Sequence, residues 1–253
     1  MKKSTIILCF LSVLAGTISA KAQSDTTWHH GWFGHNIAGA VQVQVTYRQS
    51  KPGQLNAILN NNQIGSLPGN NVWINLSMSH IHHRWLFEDG IGGTPTSTAN
   101  NGNNLKVKHN QFQLYARGAY NVSKSSAFRL YPFVGLNLSD AMLRIQDNAR
   151  TESTSDFSQE LLNSTSSKTL WNPQFGLEFG GGFDYVIKMK SKQMDCYTIE
   201  RNIPIGIRLG YYLQATSNKW KINDNYNLNN GPSNKQSAVF VSFNIGLGYE
   251  VKK

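Results

Sequence analysis

The chain has 253 residues and a formal charge of +10, yet only 15% of its residues are charged. A soluble domain usually covers its surface with about 25 to 35% charged residues, so the low value needs an explanation. The basic excess is spread along the chain with no long Lys/Arg block, which argues against a surface that tracks nucleic-acid phosphates.

At the N-terminus Lys2 and Lys3 precede an apolar stretch from Ile6 to Ile18, and Ala20 and Ala22 supply the small residues that a signal peptidase reads. Residues 1–22 are expected to be a cleaved signal peptide, because the run is shorter than the roughly 20 residues of a membrane helix. Cys9 lacks the small residues that precede a lipoprotein cysteine and would leave with the peptide. Three lysines would leave too, giving 21 basic side chains against 14 acidic ones, a charge of +7. The single remaining thiol, Cys196, cannot form an internal disulfide. Residues 23–36, with His29, His30, His35, Trp28 and Trp32, read as an N-terminal periplasmic segment.

From there the signal is alternation with period two, which puts unlike residues on the two faces of a strand. Val41, Val43, Val45 and Tyr47 oppose Gln42, Gln44 and Thr46. Val72, Ile74, Leu76 and Met78 oppose Asn75, Ser77 and Ser79, and after a turn at 81–84 the apolar stretch from Trp85 to Ile91 supplies a third strand. Phe112, Leu114, Ala116 and Tyr120 oppose Gln113, Arg117 and Asn121. Leu130, Val134, Leu136 and Leu138 oppose Gly135, Asn137 and Ser139, until the phase changes near Asp140 and Ala141, Leu143 and Ile145 take over. Such a shift reads as a β-bulge.

The three cleanest segments follow. Phe175 to Ile187 alternate with Gln174, Gly176, Glu178, Gly180, Gly182 and Asp184; Ile203 to Leu213 with Pro204, Gly206, Arg208, Gly210 and Tyr212; Val239 to Val251 with Ser242, Asn244, Gly246, Gly248 and Glu250. The total of eight agrees with the even strand number of single-chain bacterial barrels. Turns at 81–84, 122–127 and 190–199 are short, whereas the connections 49–70, 92–105, 147–169 and 216–235 are long and rich in Asn, Ser, Thr and Gly. Gln54 to Asn60, with Leu55, Ala57, Ile58 and Leu59, is compatible with a short helix on the barrel rim.

A soluble lipocalin-type barrel also alternates, but its outer polar face would carry many Lys and Glu. Here the polar face is mostly Gly, Ser, Asn and Gln, groups suited to a narrow lumen, while the apolar face crosses about ten residues without charge, the length of a tilted transmembrane strand. The expected fold is all-β: a closed antiparallel up-and-down transmembrane β-barrel of eight strands over residues 37–253, with both termini on the periplasmic, short-turn side. Tyr120, Tyr131, Tyr185, Tyr211 and Tyr249 lie toward strand ends and suit aromatic girdles, although strands are rich in tyrosine in any case.

The segments Gln54-Leu55-Asn56-Ala57-Ile58-Leu59 with Gly65-Ser66-Leu67-Pro68, Tyr131-Pro132-Phe133-Val134-Gly135-Leu136 and the closing Ile245-Gly246-Leu247-Gly248-Tyr249 resemble the small outer-membrane β-barrel proteins of the Bacteroidetes. The resemblance spans most of the chain after the signal peptide. It implies the barrel fold and an outer-membrane location, and brings no catalytic site with it. The end Val251-Lys252-Lys253 departs from the terminal aromatic residue common in outer-membrane proteins.

Arg48, Arg117 and Arg208 share the predicted interior with Glu178, Asp184 and Glu250. Buried charges must pair, so these six are expected to form a lumen network, either a packed filling or the gate of a narrow porin-like channel. His80 and His82 share a strand face and could hold one metal ion, but no Cys or acid adjoins them to complete a set. Ser79 and His80, the one candidate acyl-transfer dyad, fall on opposite faces. No nucleophile elbow or phosphate loop is present, and no cofactor is expected. The expectation is a non-enzymatic barrel with a structural or surface-interaction role. Its expected partners are outer-membrane lipids and lipopolysaccharide, the barrel-assembly machinery and an unidentified extracellular ligand, with no nucleic acid.

Overall fold

The computed structural model describes residues 37–49, 53–68, 70–100, 105–147, 167–194, 197–216, 218–222, 226–232 and 237–252. All of them belong to one of the chain's two compact units, His35–Lys253. The other unit, Met1–Gly34, lies outside the described residues, and with it the expected signal peptide, Cys9, His29 and His30; His35 and Cys196 lie outside them as well.

Eight long strands are described: β1 (Ile37–Gln49), β2 (Asn70–His82), β3 (Trp85–Gly93), β5 (Leu105–Tyr120), β6 (Phe128–Asp147), β7 (Ser167–Lys188), β9 (Tyr197–Gln214) and β12 (Ala238–Lys252). Four short pieces accompany them: β4 (Ser97–Asn100) beside β5, β8 (Lys192–Met194) in a hairpin with β9, and β10 (Lys221–Ile222) with β11 (Tyr226–Asn227) beside β7. Each long strand pairs antiparallel with the next, and β12 returns to β1 with Leu247 opposite Val41. The sheet is therefore closed. Closure leaves no row of unpaired backbone N–H and C=O groups, the requirement for any sheet in hydrocarbon. Among the described residues no helix is long and apolar enough to cross a membrane.

The third strand, assigned in the sequence only as an apolar stretch, is present as β3. The strands also run beyond the apolar pattern: β9 begins at Tyr197, not near Ile203, and β4 occupies part of the connection expected over 92–105.

Alternation sorts the side chains into two populations. Val43, Leu76, Leu114, Val134 and Phe243 are 47 to 62% exposed on the outer surface, while Gln44, Ser77, Gln113, Asn137 and Asn244 are buried inside. Charge is scarce in the sequence because this outer surface carries so little of it. Trp85 and Tyr120 meet edge to face at 5.1 Å, and Tyr185 and Tyr249 stand outward at the same short-turn end. Tyr131 is a correction to the predicted girdle. It is 2% exposed and points into the lumen, because the odd-numbered residues of β6 face inward from Tyr131 through Leu143.

The bulge expected at Asp140 is absent. The register of β5 with β6 runs unbroken from Leu105 opposite Asp147 to Ala119 opposite Phe133, and that of β6 with β7 is equally continuous through Asp140 opposite Pro173. What changes at Asp140 is the surroundings of the two faces. Ala141 and Leu143 still point inward, into an apolar cluster with Val107, Ala99 and Trp220 at the long-loop end of the barrel. The helix Gly53–Asn61 (α1) lies over this cluster and contributes Leu55 and Leu59, with Ile64 and Leu67 following. The helix stops where Gln63 takes a φ of 58°, and the Leu59 carbonyl then accepts from the Ile64 N–H at 2.8 Å. Asn56 ties the returning chain to the helix: its Nδ2 donates to the Leu67 carbonyl and its Oδ1 accepts from the Leu67 N–H, both at 2.9 Å.

Two outcomes test this arrangement. Leu136→Arg, in the middle of the outer belt, should cost about 2 to 4 kcal/mol, read from urea unfolding in lipid vesicles. Asn56→Ala should speed proteolytic cleavage between residues 50 and 69 while leaving the heat-induced gel-mobility shift of the barrel unchanged.

Candidate functional site: the interior ion network

Every long strand except β2 sends a charged side chain, or one hydrogen-bonded directly to a charge, into one buried network, and each arrives there because alternation turns it inward. Lumen-facing glycines make the room. A Cβ at Gly182 would collide with the Tyr131 ring, and one at Gly176 with the Tyr212 ring.

Glu178 lies between two arginines, accepting from Arg117 Nε at 2.8 Å and Arg48 Nη2 at 3.3 Å, with Asn137 Nδ2 adding a third bond at 2.9 Å. Glu88 is a second centre. It accepts from Arg208 Nη2 at 2.8 Å, Arg117 Nη1 at 3.1 Å and Gln44 Nε2 at 2.7 Å. Arg117 thus links the two carboxylates. Asp184 joins through a relay: the Tyr131 hydroxyl donates to its Oδ2 at 3.0 Å and accepts from Arg208 Nε at 3.2 Å, while Asn244 Nδ2 donates to Oδ1 at 3.1 Å. Arg48 Nε and Nη1 have no hydrogen-bond partner, but the guanidinium lies over the Tyr212 ring at 4.2 Å and the Trp73 ring at 5.0 Å. Such contacts are worth about 2 kcal/mol when desolvated.

Among the described residues three buried arginines face three buried carboxylates, so the charges of the network balance. Arg48, Arg208, Glu88, Glu178 and Asp184 are 0 to 2% exposed. Solvent therefore reaches almost none of their surface, and each charge depends on its partners for stabilisation.

Of the six charged residues expected in the lumen, the structure brings Arg48, Arg117, Arg208, Glu178 and Asp184 together. Glu250 is a correction: it is half-buried near the end of β12 and lies 3.7 Å from Lys252, outside the network. Its face is right but its height is wrong, since so near the strand end the lumen opens to solvent. Glu88 was missed. Its signal was available, because Leu86 and Glu88 alternate with Trp85 and Phe87, but the stretch 85–91 was read by its apolar content alone.

The remaining candidates are Ser79, His80 and His82 near the end of β2. Ser79 is buried and donates to the Ala40 carbonyl at 3.3 Å, whereas His80 on the opposite face lies 3.9 Å from Asp89 Oδ1. The two residues of the candidate dyad are thus separated by the sheet itself. His82 packs edge-on against His83 at 4.4 Å, and among the described residues no three His, Cys, Asp or Glu side chains come together as a metal set.

A closed ring of eight strands, an apolar exterior bounded by aromatic residues and a polar filled interior define a transmembrane β-barrel of the outer-membrane type. The outer membrane is where this chain resides. Neither a protein-family model nor a curated protein matches the chain. Among solved structures it is similar to Ail, the attachment invasion locus protein of Yersinia pestis, with 12% identity, 84% of this chain and 97% of that chain covered, and a TM-score of 0.36. It is also similar to Neisserial surface protein A, with 13% identity, coverage of 87% and 97% and a TM-score of 0.34. For a major outer membrane protein from Thermus thermophilus the values are 12%, 83% and 99%, and 0.39. Likenesses this distant carry no functional argument, and the class rests on the barrel's own surfaces.

Glu178→Gln leaves Arg48 and Arg117 facing a neutral amide and should destabilise the barrel by about 3 to 5 kcal/mol. Adding Arg48→Gln should return part of that loss, so unfolding free energies from a double-mutant cycle should show coupling of the two sites.

Proposed function

We propose that this protein is a non-enzymatic, non-conducting outer-membrane barrel of the small Bacteroidetes type, whose rigid body presents its long loops for a structural or surface-interaction role in the cell envelope. The observation that carries this reading is the balanced, solvent-excluded ion network spanning the lumen, closed toward the long loops by the apolar cluster under α1. A solute pathway needs water in contact with polar walls, and here those walls bond to one another. The motif resemblance supports the group assignment, since its segment 54–59 forms the helix that caps the barrel and 65–68 the return held by Asn56.

Planar-bilayer recording tests the proposal. The intact protein should show no unitary conductance at neutral pH. A combined Glu88→Ala and Glu178→Ala variant, if it retains a gel-mobility shift on heating, should show intermittent openings, because both shared acceptors are gone. Steady channels from the unaltered protein would instead establish the narrow porin-like channel as its function.

A further inference from the structure

We propose that the outer face of β5 and β6, at the long-loop edge of the membrane, is a binding site for the phosphate headgroup of an outer-leaflet lipid. The proposal rests on the outer-membrane placement and deepens it. Lys106 and Lys108 share the outward face of β5 with Phe112 and Leu114, and Arg144 shares the outward face of β6 with Leu136 and Leu138. The register sets Lys108 directly opposite Arg144, with Lys106 one rung further on opposite Gln146. Like charges placed directly across a pair of strands repel, so this juxtaposition opposes sheet formation unless an anion joins it. Among the described residues none of the three forms an ion pair; Arg144 Nη2 makes one long bond, 3.4 Å, to Ser167 Oγ.

Their height selects a lipid over a free anion. From Tyr120, in the aromatic end of the belt, to Lys108, at about 3.3 Å per residue and a tilt near 40°, β5 climbs about 30 Å, one hydrocarbon thickness. The cations therefore stand where acyl chains end and headgroups begin, above the apolar columns that would hold those chains, with Asn110 of β5 and Met142 and Asp140 of β6 at the outward positions between; Asp140 Oδ1 accepts from the Asn172 N–H at 3.0 Å. Trp171 faces outward on β7 opposite Met142, one outward position below Arg144, as an aromatic residue does at this boundary.

The test uses the full chain folded in neutral detergent micelles and titrated with lipid A. Lys106→Gln with Lys108→Gln and Arg144→Gln should weaken binding at least about fivefold, the contribution of one cation near an anionic surface. Lys124→Gln with Lys190→Gln and Lys192→Gln, exposed at the opposite rim, should leave binding unchanged. Equal binding by all three proteins overturns the site, as does an equal loss in the control. Absence of binding by the unaltered protein also overturns it. Displacement of lipid A by inorganic phosphate at matching concentration overturns the choice of a lipid. A gel-mobility shift on heating, required of each variant, separates these outcomes from misfolding, and failure of the unaltered protein to insert into vesicles would sink the membrane placement itself.

Discussion

Hydrocarbon offers backbone amides no partner, so a sheet in a bilayer must close on itself, and every other feature of this protein follows from that closure. Eight strands make a ring with room for little beyond its own side chains. Once β12 has paired with β1, inward residues in the middle of the barrel have no solvent and outward residues within the belt have no water. The sequence answers with small or hydrogen-bonding groups on one face and aliphatic or aromatic groups on the other.

The narrow lumen then sets the terms for its charges. Removing an arginine or a carboxylate from water costs several kcal/mol even after relaxation, and an isolated one would be expelled or neutralised. Here Arg117 bridges Glu178 and Glu88, Arg208 connects Glu88 through Tyr131 to Asp184, and amides from Gln44, Asn137 and Asn244 occupy further acceptor positions. The partners come from strands far apart in sequence, so the network fixes which strands meet as well as filling the space. The glycines of β7 serve the same end, because the Tyr131 and Tyr212 rings could not lie across the lumen beside larger residues.

Toward the long loops the same strands change solvent without changing geometry. Above the belt the outer face of β5 and β6 turns polar and basic, while the inner face turns apolar beneath α1. Leu55, Leu59, Val107 and Leu143 therefore form a small water-soluble type of core on top of a membrane barrel. The inversion looks like a bulge in the sequence because alternation is read against a single assumed environment. The unbroken register shows that residue parity never shifted.

Strand number, inward and outward faces, the rim helix and five of the six lumen charges were legible from the amino-acid order, since period-two alternation is a local property that a bilayer makes strict. The tertiary structure alone decided the rest. It revealed Glu88 as the second acceptor, sent Tyr131 from the girdle to the Asp184 relay, and left Glu250 outside the network. Those outcomes depend on height along the barrel and on which distant strands face one another across the lumen. Sequence determines the face a side chain takes; only closure and register determine what it meets there.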